Sequence, residues 1–189
     1  MAVKAGKADA AAYDEPILRN IAGKNPGLTV MSDMITIDNY GFAVHPSNIE
    51  LKKAIDSVII NLKSGSGYNS MLARWLPKEG PPNPMPVIET NGSKGILRFG
   101  TSAITEPFSF IDGSHKIVGL DVEIASLVAQ RLGLQIQIVN MDFGAMIPAL
   151  ISNKVDMIGA CITITDERAK SVLFSIPYYV GGIAALVKE

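Results

Sequence analysis

The stretch GLDVEIASLVAQRLGLQIQIVN, residues 119–140, decides the fold. Val122–Leu132 reads as a helix and leads directly into an apolar strand, Leu134–Val139. The same alternation continues on both sides. Upstream, strand Ile96–Gly100 precedes a polar loop, and Phe108–Ile111 and Ile117–Gly119 flank the turn Asp112-Gly113-Ser114. Downstream, helix Ala145–Ser152 leads to strand Asp156–Ala160, a short helix starts at Asp166, and strand Gly182–Val187 closes the chain. Strands alternating with helices of about ten residues imply βαβ units and a parallel sheet. Ligands of such sheets sit at the carboxyl ends of the strands. The loops Thr101–Pro107, Asn140–Phe143 and Cys161–Thr165 are therefore where a site is expected.

The chain in front of this unit is organised differently. A short helix end is expected at Lys4–Lys7, then a small-residue strand at Ala8–Tyr13 and a helix at Glu15–Ala22 with Pro16 in its first turn. Asn25-Pro26-Gly27 is a turn, Leu28–Met31 a short strand and Gly41–Val44 another. Pro46-Ser47-Asn48 caps a helix whose apolar residues Ile49, Leu51, Ala54, Ile55, Val58, Ile59 and Leu62 recur on one face. Ser64-Gly65-Ser66-Gly67 breaks it, and Tyr68–Leu76 forms a second, shorter helix. Residues 77–94 are rich in Pro and Gly, which block helix and central strand alike, and read as a linker.

With 189 residues the chain holds one ordinary domain or one and a half smaller ones. Its 17 Lys and Arg nearly balance its 18 Asp and Glu without a basic block, which argues against a nucleic-acid surface. The single cysteine, Cys161, forms no internal disulfide. Two histidines and one cysteine give no basis for a metal site, and no cofactor is implied. Met1-Ala-Val-Lys-Ala-Gly-Lys7 lacks the apolar core of a signal peptide. The uncharged run Ser171–Val187 is interrupted by Pro177, Gly181 and Gly182, and reads as a loop plus a buried strand rather than a membrane helix.

The residues Ile162-Thr163-Ile164-Thr165-Asp166-Glu167-Arg168 follow a buried strand and open a helix. Free backbone N–H groups, two hydroxyls and the Arg168 guanidinium suit a carboxylate, which Arg grips through two parallel hydrogen bonds. Alone, the same pattern equally describes a capped helix with a solvated Asp-Glu-Arg turn.

Other pieces sharpen this. Phe99-Gly-Thr-Ser102 with Pro107-Phe-Ser-Phe110, Val118-Gly-Leu-Asp-Val-Glu-Ile124, Met141-Asp-Phe143, Ile147-Pro-Ala-Leu150, Asp156-Met-Ile-Gly-Ala160, Thr163-Ile-Thr-Asp-Glu-Arg168 and Phe174-Ser-Ile-Pro-Tyr-Tyr179 follow one another in order. Through them residues 95–189 resemble the N-terminal part of the bacterial extracellular solute-binding proteins of family 3, amino-acid receptors of ABC importers, and especially the glutamine-binding branch. Residues 2–76 resemble the C-terminal part of the same family, through Ala8–Pro16, Tyr40-Gly-Phe-Ala-Val44, the helix Leu51–Leu62 and Gly67-Tyr68 to Trp75.

The resemblance implies a type II periplasmic-binding-protein-like α/β fold with the segments in permuted order. Residues 1–39 would be the second half of lobe two, 40–76 the C-terminal helices of lobe one, 77–94 the linker and 95–189 the N-terminal parallel-sheet part of lobe one. The linker could reach roughly 60 Å at about 3.3–3.6 Å per residue, so 40–76 is expected to pack on 95–189, within one chain or in a segment-exchanged homodimer. Residues 1–39, as half a lobe, are expected to be poorly ordered or held by a partner chain.

The resemblance also implies roles. Arg168 would hold a ligand's α-carboxylate with the backbone and hydroxyl of Thr163. The Ala160 carbonyl and Asp14 would receive the α-ammonium, and Phe143 and Tyr13 would flank the side chain. Ser102 and Thr105 complete the implied ligand set. Thr105 stands where the family usually has an aromatic residue, Ser102 where some members have Asp, and Cys161 where Gly is common. The implied function is extracytoplasmic, periplasmic binding of a polar, glutamine-like α-amino acid for delivery to an ABC permease, with weak or no binding by this chain itself. A sensory module of a tandem-receptor kinase is an alternative, and a dehydratase-type enzyme on the same fold a lesser one.

The remaining conspicuous residues read as structural. Phe108 and Phe110 are expected in the core, Tyr178 and Tyr179 as packing near an interlobe strand, and Trp75 as the anchor of the terminal helix. His45 and His115 are expected at the surface. Asp121 and Glu123 follow Gly119 at a helix start, where negative charge suits the dipole without any catalytic role.

Overall fold

The structure, a computed structural model, describes residues 2–77 and 80–189. Met1 and the Lys78–Glu79 pair of the expected linker lie outside the described residues. In chain order come β1 (Ala10–Asp14), α1 (Glu15–Gly23), β2 (Leu28–Val30), β3 (Asp38–Tyr40), β4 (Ala43–Val44), α2 (Ile49–Ser64) and α3 (Gly67–Trp75). Then follow β5 (Ile96–Thr101), β6 (Ile104–Thr105), β7 (Ser109–Ile111), β8 (Ile117–Val118), α4 (Leu120–Leu132), β9 (Gln135–Asn140) and α5 (Met146–Ile151). The chain closes through β10 (Met157–Ile158), α6 (Asp166–Ala169), β11 (Leu173–Phe174), β12 (Tyr179–Gly181) and β13 (Ile183–Lys188).

The larger lobe is built on a five-stranded sheet in the order β11-β4-β10-β5-β9. Strands β9 and β10 run parallel to β5, as βαβ connections through α4 and α5 require. The sheet is nevertheless mixed rather than all parallel. Strand β4, from the early segment, enters antiparallel between β10 and β11.

Period-two alternation splits the strands' side chains between two cores. Val44, Leu97, Phe99 and Met157 pack under α2, α3 and α4, whereas Ala43 and Ile158 face α5. Helix α2 starts because the Asn48 side chain accepts the Leu51 N–H at 3.3 Å, and it buries Leu51, Ile55, Val58 and Ile59. Each such side chain contributes about 1.5–3 kcal/mol when fully buried. Helix α4 is buried almost all round, between the sheet and the two early helices. It ends at Gly133, whose left-handed backbone (φ 71°) lets the chain turn straight into β9.

Asp121 and Glu123 stand in the first turn of α4, at the helix start expected from the sequence, and both are buried. Glu123 is drawn inside by partners: it accepts the Trp75 Nε1–H at 2.6 Å and an Arg74 Nη1 bond at 3.0 Å. The carboxylate thereby docks the end of α3 on the start of α4.

The smaller lobe also departs from expectation. Residues 2–39 do not stand as an unfinished piece, because β13 joins them. It forms the centre of an antiparallel sheet, β1-β13-β2, with Tyr13 opposite Ala184 and Asp14 opposite Ile183. Helix α1 covers one face, and Val3, Leu18, Leu28, Ala184 and Leu186 form a small core. The boundary at 95–189 shifts accordingly: residues 183–188 belong with the smaller lobe, since their hydrogen bonds run to β1 and β2. The helix end expected at Lys4–Lys7 is a run of turns instead.

Two strands cross between the lobes. β3 and β12 pair antiparallel, Tyr40 opposite Tyr179 and Gly181 opposite Asp38, as a two-stranded ribbon. Next to it, a Cβ on Gly182 would fall 1.9 Å from the Thr36 carbonyl oxygen, so only glycine lets the two connections pass this closely. Of the linker, Asn83 N–H bonds the Arg74 carbonyl at 2.9 Å and Lys94 N–H the Gly133 carbonyl at 3.0 Å, which lays it along the larger lobe.

Candidate functional site

The carboxyl ends of β5, β9 and β10 open on a cavity of about 360 Å³ between the lobes. The larger lobe supplies Ser102, Thr105, Phe143, Ala160, Thr163 and Arg168, and the smaller supplies Tyr13, Asp14 and Ile183. All eight residues singled out from the sequence thus face one space. A larger surface groove of about 510 Å³ lies beside α2 and α4. Of its lining charges, Lys53 pairs with Glu50 and Asp156 with Arg98, and Arg131 forms no ion pair among the described residues, so the groove lacks a facing pair of opposite charges free for a ligand.

Arg168 stands on α6, whose start is capped by the Thr165 hydroxyl accepting the Arg168 N–H at 3.2 Å. Its Nη1 donates to the Thr163 carbonyl at 2.9 Å, and its guanidinium lies 5.5 Å from the centroid of the Phe143 ring. These contacts hold the planar fork over an aromatic face, leaving donors free. Among the described residues no carboxylate forms an ion pair with Arg168. Phe143 is 43% exposed, an unusual amount for a Phe unless something covers it.

Asp14 ends β1 and points across the cavity from the other lobe. Its Oδ1 accepts the Tyr40 hydroxyl at 2.7 Å. Tyr40 itself is fully buried, stacked on Tyr179 with ring centroids 5.8 Å apart. Burial, foremost, and the neighbouring Cys161 and Asp14 hold the Tyr40 hydroxyl far above its ordinary range, so it remains a donor. Arg168 and Asp14 are the only charged residues lining the cavity among the described residues.

The floor is backbone. Thr101 Oγ1 donates to the Gly159 carbonyl at 2.6 Å, joining β5 to the turn after β10. Among the described residues, the Ala160 carbonyl accepts no hydrogen bond and the Thr163 N–H makes none, so both are available on the cavity wall. Thr105 donates to the Ser102 carbonyl at 3.0 Å, which shapes the loop carrying both. Elsewhere between the lobes, Glu106 of the larger one forms an ion pair with Lys24 of the smaller one, although neither residue lines the cavity.

Two contributors to the site, and one ion pair between the lobes, escaped the sequence reading. Ile183 lines the cavity because β13 crosses into the smaller lobe. Tyr40 carries the hydroxyl that Asp14 uses, and the partners lie 26 residues apart, so no local pattern links them. Lys24 and Glu106 are 82 residues apart. A Tyr at the end of a short strand and a charged residue after a helix carry no signal of their own.

An α/β lobe and a small second lobe, joined by a two-stranded ribbon, thus face each other across a cleft with one cation and one anion. The model of the bacterial extracellular solute-binding proteins, family 3, a family of binding proteins rather than enzymes, matches residues 97–189, just under half of the chain. The arginine-binding extracellular protein ArtP of Bacillus subtilis is 43% identical over 99 residues, 52% of this chain and 38% of ArtP. The L-cystine-binding protein TcyJ of Escherichia coli is 36% identical over 96 residues, 51% of this chain and 36% of TcyJ. Among solved structures, the arginine-bound form of domain 1 from TmArgBP is 40% identical, covering 51% of this chain and 82% of that one at a TM-score of 0.46. The matched part of this chain thus spans well under half the length of these curated relatives.

Proposed function

We propose that this chain binds a free α-amino acid in the interlobe cleft, outside the cytoplasm, as part of uptake through an ABC importer. The observation that carries it is the pair Arg168 and Asp14, opposite charges on opposite walls of a cavity lined by no other charge among the described residues. A zwitterion leaving water needs one fixed anion and one fixed cation, and an unpaired buried charge on either partner would be costly. In this reading Arg168 and the Thr163 N–H take the α-carboxylate, and Asp14 and the Ala160 carbonyl take the α-ammonium. Phe143 and Tyr13 offer flat faces to the side chain, with Ser102 and Thr105 as polar partners beside them.

Planar polar side chains suit two aromatic faces, which favours arginine and glutamine as ligands. Relatives whose names state arginine, cystine or histidine support the class. The smaller lobe is only a three-stranded sheet with one helix, so its wall is short and binding is weak, in the high-micromolar to millimolar range, about −4 to −5.5 kcal/mol. Closure of the ribbon-linked lobes around the ligand would create the surface that an importer's membrane subunit reads.

A chemical-shift titration tests this. L-arginine and L-glutamine should each give saturable shifts at Tyr13, Asp14, Phe143, Thr163 and Arg168. L-argininamide, which lacks the carboxylate, and Nα-acetyl-L-arginine, which lacks the ammonium, should not. Equal responses to all four compounds, or none to any free amino acid, would remove the reading.

A further inference from the structure

Asp121 is fully buried beneath the cleft, yet lines none of it. Its Oδ2 accepts the backbone N–H of Cys161 at 2.9 Å. Cys161 is one of three non-glycine residues among those described with a left-handed backbone, φ 56°. A residue with a Cβ resists that conformation and holds it only where its surroundings impose it. Ala160, just before it, and Thr163, two residues after it, carry a carbonyl and an N–H on the cavity wall that make no hydrogen bond among the described residues.

We propose that Asp121 is a positioning residue of the amino-acid cleft: by holding the Cys161 N–H it keeps Cys161 left-handed, and so aims the Ala160 carbonyl and Thr163 N–H at the ligand. The proposal rests on the binding reading above for its consequence, and on the hydrogen bond and backbone geometry for its mechanism. Among the described residues Cys161 N–H has no other acceptor. The turn's other bonds fall before or after the left-handed residue: Thr101 Oγ1 to the Gly159 carbonyl at 2.6 Å and Gly159 N–H to the Gly100 carbonyl at 3.1 Å before it, Gly41 N–H to the Ile162 carbonyl at 3.0 Å and Ile164 N–H to the Asn39 carbonyl at 2.8 Å after it.

The surroundings explain why a carboxylate can stand there. Its Oδ1 and the Tyr178 hydroxyl both lack a hydrogen-bond partner of normal geometry, although each senses the other. Burial pushes the Asp121 carboxyl up to about 7, with the Tyr178 hydroxyl and the Cys161 N–H opposing that rise. The other groups near it are the Cys161 thiol, which burial raises, and, beyond the thiol, Tyr40, Asp14 and Asp38. An amide in place of the carboxyl keeps the acceptor for Cys161 N–H and turns its NH₂ toward the Tyr178 oxygen, so Asp121→Asn should preserve the turn. Asp121→Ala removes the acceptor altogether.

The experiment is carbon, nitrogen and amide-exchange NMR on the full chain, reading the backbone at 161 and its neighbours. Asp121→Asn should keep the residue 161 Cα and Cβ shifts of a left-handed backbone. Asp121→Ala should lose them and speed amide exchange at 161 by about tenfold or more. Adding Cys161→Gly to Asp121→Ala should return the Ala160 and Thr163 shifts to their parent values, because glycine adopts positive φ without strain. A role confined to core stability would give no such rescue. Unchanged residue 161 shifts in Asp121→Ala, or failure of the glycine to restore its neighbours, would overturn the proposal. Should Asp121→Ala not fold, the parent chain decides: a through-hydrogen-bond coupling should link the Cys161 amide nitrogen to the Asp121 carboxyl carbon, and its absence, with fast exchange of the Cys161 amide, would sink the contact. In parallel, L-arginine titrations should show about tenfold weaker binding for Asp121→Ala and recovery in the double variant. A parent chain deaf to L-arginine, with the loop behaving as expected, would remove the binding reading and leave the positioning role standing.

Discussion

The Tyr40 hydroxyl donates to Asp14 Oδ1 at 2.7 Å, so a residue of the interlobe ribbon holds the smaller lobe's cleft carboxylate. Hydrogen bonds to charged groups contribute about 1.5–3 kcal/mol, and this one also fixes a direction. Tyr40→Phe keeps the stacked ring and removes the bond. Amino-acid affinity should fall by about three- to tenfold, with little change in secondary structure. Titration with L-arginine, alongside circular dichroism, reads both.

Arg168 reaches the cleft through one hydrogen bond to Thr163 and the face of Phe143, so its removal barely disturbs the fold. Arg168→Lys keeps the charge but loses the planar two-pronged grip and the stacking. Binding should weaken by at least about tenfold, whereas the melting temperature should stay close to that of the parent. Retention of full affinity in Arg168→Lys would show that the carboxylate is held elsewhere.

Asp121 makes stability depend on pH in a defined direction. Its carboxyl is raised to about 7 in the folded chain, above its ordinary value of 3.8, so the folded state binds the proton more tightly than the unfolded one. The stability this confers is fully present below about pH 4 and is lost as pH rises toward and through 7. Urea unfolding measured across this window should show the decline as an Asp121-dependent component. Asp121→Asn should flatten it, because the amide does not titrate.

Leu186 is 1% exposed at the centre of the small core shared with Val3, Leu18 and Leu28. Leu186→Ala should cost about 2–5 kcal/mol, concentrated in that lobe. Hydrogen exchange would then quicken in residues 10–14 and 28–30 while residues 96–101 and 135–140 remain protected. Loss of protection in both lobes together would show a single cooperative unit instead.

Much of the larger lobe was legible because its signals are local. The helix Val122–Leu132 and the strand behind it declare themselves through apolar spacing, and the structure extends that helix by only two residues, to Leu120. The strands β3, β6 and β12 were not legible as such: they are two or three residues long and exist only through their partners. The antiparallel entry of β4 is equally silent in sequence, since Ala43 and Val44 read the same in either direction. The helix start that carries Asp121 and Glu123 was legible, but the partners of Glu123 were not, since Trp75 and Arg74 lie 48 and 49 residues away along the chain.

By itself the sequence determined the alternating α/β character, the apolar faces of the helices, the loops at the strands' carboxyl ends and the residue types suited to a zwitterion. These follow from periodicities and side-chain chemistry that act within a few residues. The tertiary structure alone decided that β13 leaves the larger lobe to complete a sheet with residues 10–14 and 28–30. That choice brings Asp14 opposite Arg168, and long-range strand pairing governs it: unpaired backbone hydrogen-bonding groups must find partners, and the strands β1 and β2 that supply them lie at the other end of the chain.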